Sequence, residues 1–482
     1  MADLNSNQTS LQETRPAARR DLFTTIRLVA FAALLTVIAL IQYTPNQTLV
    51  TLAGLLSFGA FLAAITGSDK TSVMLSFGLV AIGSVLFAVA GVDPLTAVMS
   101  FKENAGVLLF MVLVPLVGTV IELGGYTEAL GEISRNVRKP AYLYAISLFL
   151  AYSIGAVLLN AAIALIWPVM APIVKRIGKD PADFLASSLP RGYDASLPWT
   201  PSSPAMATAL VLTGAPWPSI FWPGILLSLV FLAFAVITEL GGPLLKQPVH
   251  FAPVTQGSRA EAETVEGKLT TRQAWKKVAE LAVGLGSFIV AIVLLQTWGW
   301  TVFQAMVPCV SVTVLLWGLL IRKPGETWAA ARTYFSQKMP GLSSQFLLMT
   351  TAGFIGTALR VALKDGIPGV SLTFTPSIWV ITFAASFIVW ALSAAGIHSI
   401  IGMTIVCSII APFAHGISPV HLCLTLLLGS SLGFNISPVS ATILVTSSCA
   451  GRNCVEVGIK KQWKFVLATW VGGSILLSLL GL

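Results

Sequence analysis

The sequence predicts an all-α polytopic membrane protein of about eleven transmembrane helices in two inverted repeats, each with a re-entrant hairpin and a broken helix. Three observations predict it. Hydrophobic residues make up 55% of the 482-residue chain and charged ones 10%. No soluble core absorbs that balance, and the apolar runs are long enough as helix to cross ~30 Å of hydrocarbon. Lys and Arg gather in the connecting loops, as the positive-inside rule requires. Finally, two phrases recur. Ser203-Pro204-Ala205-Met206-Ala207-Thr208-Ala209-Leu210-Val211 and Ser437-Pro438-Val439-Ser440-Ala441-Thr442-Ile443-Leu444-Val445 share the pattern S-P-x-x-A-T-x-L-V at an offset of 234 (437 − 203). Leu159-Asn160-Ala161-Ala162 and Leu392-Ser393-Ala394-Ala395 match at 233 (392 − 159).

The elements follow in order. A polar tail with Arg15, Arg19 and Arg20 precedes a first span over about 22–42, too long for a signal-peptide core and without a cleavage site after it. Arg27 sits near its cytoplasmic end and snorkels. Spans over about 48–66, 73–91 and 106–124 come next, and a cytoplasmic loop with Arg135, Arg138 and Lys139 contains a short interfacial helix over 127–137. Two apolar arms, about 141–159 and 161–174, have basic residues at both ends and no room for a loop between them. They read as a re-entrant hairpin entering from the cytoplasm with Asn160 at its tip. The stretch 181–214 crosses outward but carries too much Pro for one helix, so a new half-helix is expected to start at Ser203-Pro204. A span over about 217–238 returns to the inside.

The chain then turns polar. It divides into a cytoplasmic tail (1–21), a first membrane half (22–240), a cytoplasmic linker (241–277) and a second half (278–482). Spans over about 279–297 and 299–320, a basic interfacial segment at 322–338 and a span over 341–363 open the second half. Its hairpin arms, about 376–392 and 396–413, lack basic flanks and enter from outside. The stretch 418–450 crosses inward, broken at Gly433-Phe434-Asn435-Ile436-Ser437-Pro438, and a last span follows Lys460, Lys461 and Lys464. Matching phrases that enter from opposite sides are the mark of an inverted repeat.

Ser-Pro opening an apolar run is a helix start, with Ser capping an early N–H and Pro losing no hydrogen bond. Asn160 and Ser393 suit the same capping role. Four half-helix N-termini near the bilayer midplane would attract an anion, and the unwound backbone before them would coordinate a cation. The candidate substrate contacts are Asn160, Ala161, Ala162, Ser202, Ser203, Ser393, Ala394, Ala395, Asn435 and Ser437. The candidate cation or coupling positions are Asn160, Thr200, Ser393, Asn435 and Asp194. Ser and Thr in membrane helices also bond their own backbone, which is the plainer reading of Thr208 and Thr442.

Embedded charges are functional suspects. Glu122 and Glu239 lie at span ends and read as interfacial. Arg191 and Asp194 read as partners, forming either a structural lock or a proton-linked gate. Arg360 lies near an outer end, and His398 follows the second hairpin tip. The net charge of +9 resides in loops and points to no nucleic acid. The five cysteines show no metal or redox spacing and read as packing residues. No zincin, nucleophile-elbow or ATP-binding motif occurs, so neither an enzyme nor a primary pump is indicated.

The two hairpins and the breaks at Thr200-Pro201-Ser202-Ser203-Pro204 and Asn435-Ile436-Ser437-Pro438 resemble the ion transporter superfamily, particularly its divalent anion:sodium symporter branch. That family carries Ser-Asn-Thr at each hairpin tip, where this chain has Asn160-Ala161-Ala162 and Ser393-Ala394-Ala395. The resemblance implies a secondary active transporter of a small organic anion with Na⁺ or H⁺ as coupling ion and no other cofactor. It also implies a homodimer in the cell membrane and an elevator motion. The alanines imply a roomier, more apolar site, and thus a bulkier anion or a coupling ion other than Na⁺. A cation/proton antiporter or inorganic-anion exporter of the same superfamily is the alternative, and the depth of Asp194 discriminates between them.

Overall fold

The computed structural model describes residues 17–134, 137, 139–240, 242, 245, 270–363, 377–410 and 416–481. Most of the predicted tail, Arg135 and Arg138, nearly all of 241–269 and the outer flanks of the second hairpin lie outside the described residues. Every regular element described is a helix, and the protein is an all-α polytopic membrane protein. Among the described residues, eleven helices are long and apolar enough to cross a membrane. Ten coincide with predicted spans. The eleventh is the first hairpin arm, Pro140–Leu158, while the broken stretch 181–214 is too polar and interrupted to be counted.

The first half comprises α1 (Ala17–Tyr43), α2 (Gln47–Ile65), α3 (Lys70–Val89), α4 (Pro94–Met99), α5 (Ala105–Leu123) and the short α6 (Tyr126–Ser134). The hairpin α7 (Pro140–Leu158) and α8 (Ala161–Arg176) follows, then the broken pair α9 (Pro181–Ser196) and α10 (Pro204–Thr213), and α11 (Trp217–Leu240). The second half holds α12 (Thr271–Thr297), α13 (Val302–Leu320), α14 (Pro324–Thr333) and α15 (Ser343–Ala362). Its hairpin is α16 (Ile378–Ala394) and α17 (Ser399–Ile410), its broken pair α18 (Pro419–Ile436) and α19 (Ala441–Ala450), and its last span α20 (Lys461–Leu480). Both segments read as interfacial contain a helix, α6 and α14. A capping box at Thr270 and Gln273 starts α12 within the stretch read as linker.

The repeat is present, but in a different register from the phrases. The hairpin arms begin 238 residues apart (378 − 140 and 399 − 161), as do the helices before each break (419 − 181). The half-helices after the breaks begin 237 apart (441 − 204). Offsets of 233 and 234 are therefore off by about one helical turn. Leu159-Asn160 turns the first hairpin, with Leu159 at φ 54°. Its second-half counterpart is the turn around Gly396, at φ 97°, not Leu392-Ser393, which still belongs to α16.

Packing exchanges the half-helices. The half-helix α10 packs on α17 and α18, and α19 packs on α8 and α9. Each broken helix crosses its own hairpin at a glycine. A Cβ at Gly192 would collide with the Leu148 carbonyl of α7, and one at Gly429 would lie 2.6 Å from the Ser386 carbonyl of α16. These glycines also keep the repeat spacing (429 − 192 = 237). Around this centre α2 and α3 gather on α15, and α1 reaches it through Phe31, stacked on Phe346 at 3.7 Å, and Arg27, 3.4 Å from Ser343.

Gly192→Leu is expected to lower the thermal unfolding midpoint of the purified protein sharply. Overpacking against fixed backbone costs about 1–3 kcal/mol or more. Gly59→Leu, with open space around its Cβ position, is expected to leave the midpoint unchanged. Equal midpoints for the two variants would remove the close α7–α9 crossing as a determinant of stability.

Candidate functional site

Pro190 decides the environment of α9. It has no N–H to give the Ala186 carbonyl, an orphan acceptor that must be paired in an apolar interior. Gln462 of α20 supplies the donor through Nε2 at 2.8 Å, and its Oε1 accepts from Arg191 Nε at 2.7 Å. The Arg191 guanidinium is 1% exposed. Its Nη1 donates to Glu239 Oε1 at 2.9 Å and Tyr144 Oη at 3.1 Å, and the group lies over Phe465 at 4.9 Å. Glu239 also accepts from Ser187 at 2.8 Å. Arg191 is therefore the partner of Glu239, not of Asp194. Glu239, half-buried at the end of α11, is a member of this network. The pair fastens α9 to α11 and α20.

One turn further along, Asp194 is fully buried. Asn435 Nδ2, from α18, donates to Asp194 Oδ2 at 2.7 Å and to the Pro190 carbonyl at 3.3 Å. Thr442, from α19, donates to Asn160 Oδ1 at 3.0 Å, and the same hydroxyl lies 3.5 Å from Asp194 Oδ1. One carboxylate of the first half thus meets two residues of the second, and through Thr442 reaches the first hairpin tip. Asn160 precedes α8 but makes no side-chain cap bond; its carbonyl oxygen faces across the repeats instead. Asn435 Oδ1 and Ser437 Oγ are buried without a partner.

The other sequence-predicted residues are engaged elsewhere. Thr200 and Ser202 both donate to the Ala156 carbonyl near the end of α7, and their hydroxyls lie 2.9 Å apart. They satisfy an acceptor that the helix end leaves open. Ser203 caps α10 as expected, accepting from Ala205 N at 3.2 Å. Ser437 does not cap α19. It ends α18, and Ser440 is the cap, accepting from Ile443 N at 3.2 Å while donating to the Phe434 carbonyl at 2.6 Å. Ser393 is no cap either: its hydroxyl donates to the Val389 carbonyl at 2.9 Å and lies 2.8 Å from Ser399 Oγ. Ala161 and Ala395 are exposed, Ala162 is buried and Ala394 half-buried.

His398 opens α17, with Nδ1 accepting from Ile400 N at 3.4 Å and its ring edge-on to Phe434. Arg360 is 51% exposed beside Glu103 at 3.9 Å, away from the cluster. Sequence reasoning missed Ser440 and read Thr442 as a backbone-bonded threonine. The available signal was position. Thr208 sits deep enough in α10 to donate to the Pro204 carbonyl at 2.9 Å, whereas Thr442 is the second residue of α19, where the preceding chain is not helical.

No family model and no curated protein matches the sequence. Among solved structures, the chain is similar to the YdaH transporter of Alcanivorax borkumensis, whose crystal structure is described as revealing an unusual topology. The identity is 17% and the TM-score 0.53, over 85% of this chain and 97% of that one. At that identity the likeness establishes a shared fold.

Arg191→Met is expected to destabilise the protein by about 3 kcal/mol, the lower end for breaking a buried pair, because Glu239 is left half-buried without its counter-charge. The double variant Arg191→Met/Glu239→Gln is expected to recover a large part of that loss. Denaturant unfolding of the two variants checks it; a double variant no more stable than the single one would contradict the pairing.

Proposed function

We propose that the chain is a secondary active transporter moving a small organic anion, of the carboxylate class, across the cell's inner or plasma membrane, with proton binding at Asp194 as the coupling event. The observation that carries this reading is the buried carboxylate, set where a hairpin tip and the second helix break converge. Its oxygens face an amide N–H and a hydroxyl. A charge that appears and disappears at such a place alters every contact around it, and that difference is what biases one conformation over another. The half-helices α10 and α19 begin at Ser203 and Ser440. Their N-terminal dipole ends are where an anion is favoured without a lysine or arginine. The likeness to a transporter's fold supports the class. An elevator motion of a homodimer is part of the same proposal.

The depth of Asp194 also favours a second reading, a cation/proton antiporter, since ion exchange needs a deep carboxylate. Reconstituted protein separates the two. Uptake of labelled mono-, di- and tricarboxylates into liposomes is measured with a proton or a Na⁺ gradient imposed separately. The expected result is saturable uptake of one anion class under the proton gradient. Asp194→Asn is expected to lower it by roughly tenfold or more, on the scale of a typical coupling free energy of about 1–3 kcal/mol. Ion-driven change of internal pH with no anion uptake would establish the antiporter instead. Uptake driven by Na⁺ and indifferent to Asp194→Asn would overturn the role given to Asp194.

A further inference from the structure

The Thr442 hydroxyl has one proton and two acceptors. Asn160 Oδ1 lies at 3.0 Å and Asp194 Oδ1 at 3.5 Å. Asn160 belongs to the turn of the first hairpin, Asp194 to α9, and Thr442 to the half-helix the other repeat contributes. A hydroxyl donates once, so the two acceptors compete. An ionised Asp194 is the stronger acceptor, because hydrogen bonds to charged groups are shorter and stronger. A protonated Asp194 is a donor: its O–H turns to Thr442 Oγ1, and the Thr442 proton is left for Asn160. The shorter distance to Asn160 matches this second arrangement.

We propose that Thr442 is a positioning residue that relays the protonation state of Asp194 to the first hairpin tip. With Asp194 protonated, the chain Asp194 O–H to Thr442 O–H to Asn160 Oδ1 is complete and the tip is held. When the proton leaves Asp194 for water, the Thr442 hydroxyl turns to the carboxylate and Asn160 is released. The first turn of α8, held by Ala162 N–H on Leu159 O at 3.1 Å and Ile163 N–H on Asn160 O at 3.2 Å, then opens more often. This rests on the reading of Asp194 as the proton-binding group and adds how its charge reaches the part of the site that meets substrate.

The neighbouring titratable groups are engaged in other ways. On the elements packed against α9 and α19, Tyr144 of α7 and Glu239 of α11 are held on Arg191. Tyr152 of α7 stands against Trp199. His421 of α18 is 2.7 Å from Thr382, and Cys423 is buried on the same helix. Lys175 and Arg176 end α8, and Cys449 lies near the end of α19. Glu456 pairs with Arg452, and Lys460 adjoins it in the turn before α20. Tyr193 precedes Asp194 in α9 and lies against Gly155 of α7.

Hydrogen exchange at the amides of residues 160–164, followed by mass spectrometry on the full chain in lipid nanodiscs across a pH series and corrected for intrinsic base catalysis, tests the relay. In the wild type a step is expected as Asp194 ionises, with tip exchange rising roughly fivefold or more, the lower end of typical site-to-site coupling. Thr442→Val, near in shape but without the hydroxyl, is expected to lose the step, and Thr442→Ser to restore it. Asp194→Asn, whose amide donates as the protonated acid does, is expected to hold the tip protected at every pH. A wild-type step retained in Thr442→Val or in Asp194→Asn overturns the proposal. Should Thr442→Val fail to fold, Asp194→Asn decides alone. A step present without proton-driven flux would sink the transport reading and leave the relay; proton-driven flux with no step would sink the relay alone.

Discussion

Helices that break inside an apolar layer leave backbone carbonyls and amides that no water will reach, and each must find a partner in the protein. The rest of this architecture follows from how that requirement is met. Pro190 frees the Ala186 carbonyl and Gln462 takes it. The end of α7 leaves the Ala156 carbonyl, which Thr200 and Ser202 take. The first break exposes the Trp199 carbonyl, and Trp217 Nε1 donates to it at 3.0 Å. Ser440 closes α18 and opens α19 with a single hydroxyl. Residues that look on paper like a ligand shell are largely committed to the backbone.

What remains uncommitted is correspondingly informative. The first break is bound to its own hairpin, so α7, α9 and their connecting turns form one fastened unit, strengthened by Arg191 and Glu239. The second break sends Asn435 and Thr442 across to the other half instead. The two repeats are alike in element order and spacing, and at the breaks these two residues join them. Asp194 is the one charge at that junction among the described residues. A fold shared with a transporter and a charge at the junction of its repeats belong to one functional proposal, because a junction between repeats is where relative displacement would be felt.

Much of this was legible in the chain. Hydropathy and basic loops predict the spans, and Pro-rich interruptions predict both broken helices, because neither inference needs to know what lies alongside. The failures share a cause. Ser437-Pro438 carries the same start signal as Ser203-Pro204, yet Ser440, three residues on, is equally competent to cap, and its hydroxyl is the one placed between the Phe434 carbonyl and the Ile443 N–H. Ser393 looks like Asn160 by alignment, but α16 continues through it and turns at Gly396. Glu239 ends a span and carries no sign of its partner, and only the approach of α9 brings Arg191 to it.

The sequence by itself determined that this is a helical membrane protein with a repeated hairpin and broken helix, because length, apolarity and proline act locally and need no partner. The tertiary structure alone decided the register of the repeat, the pairing of Arg191 with Glu239 and the junction of Asn160, Asp194, Asn435 and Thr442. Hydrogen bonds across 241 to 282 residues of chain depend on which helix faces arrive together, and a capping-competent serine or a lone carboxylate carries no record of the face it will meet.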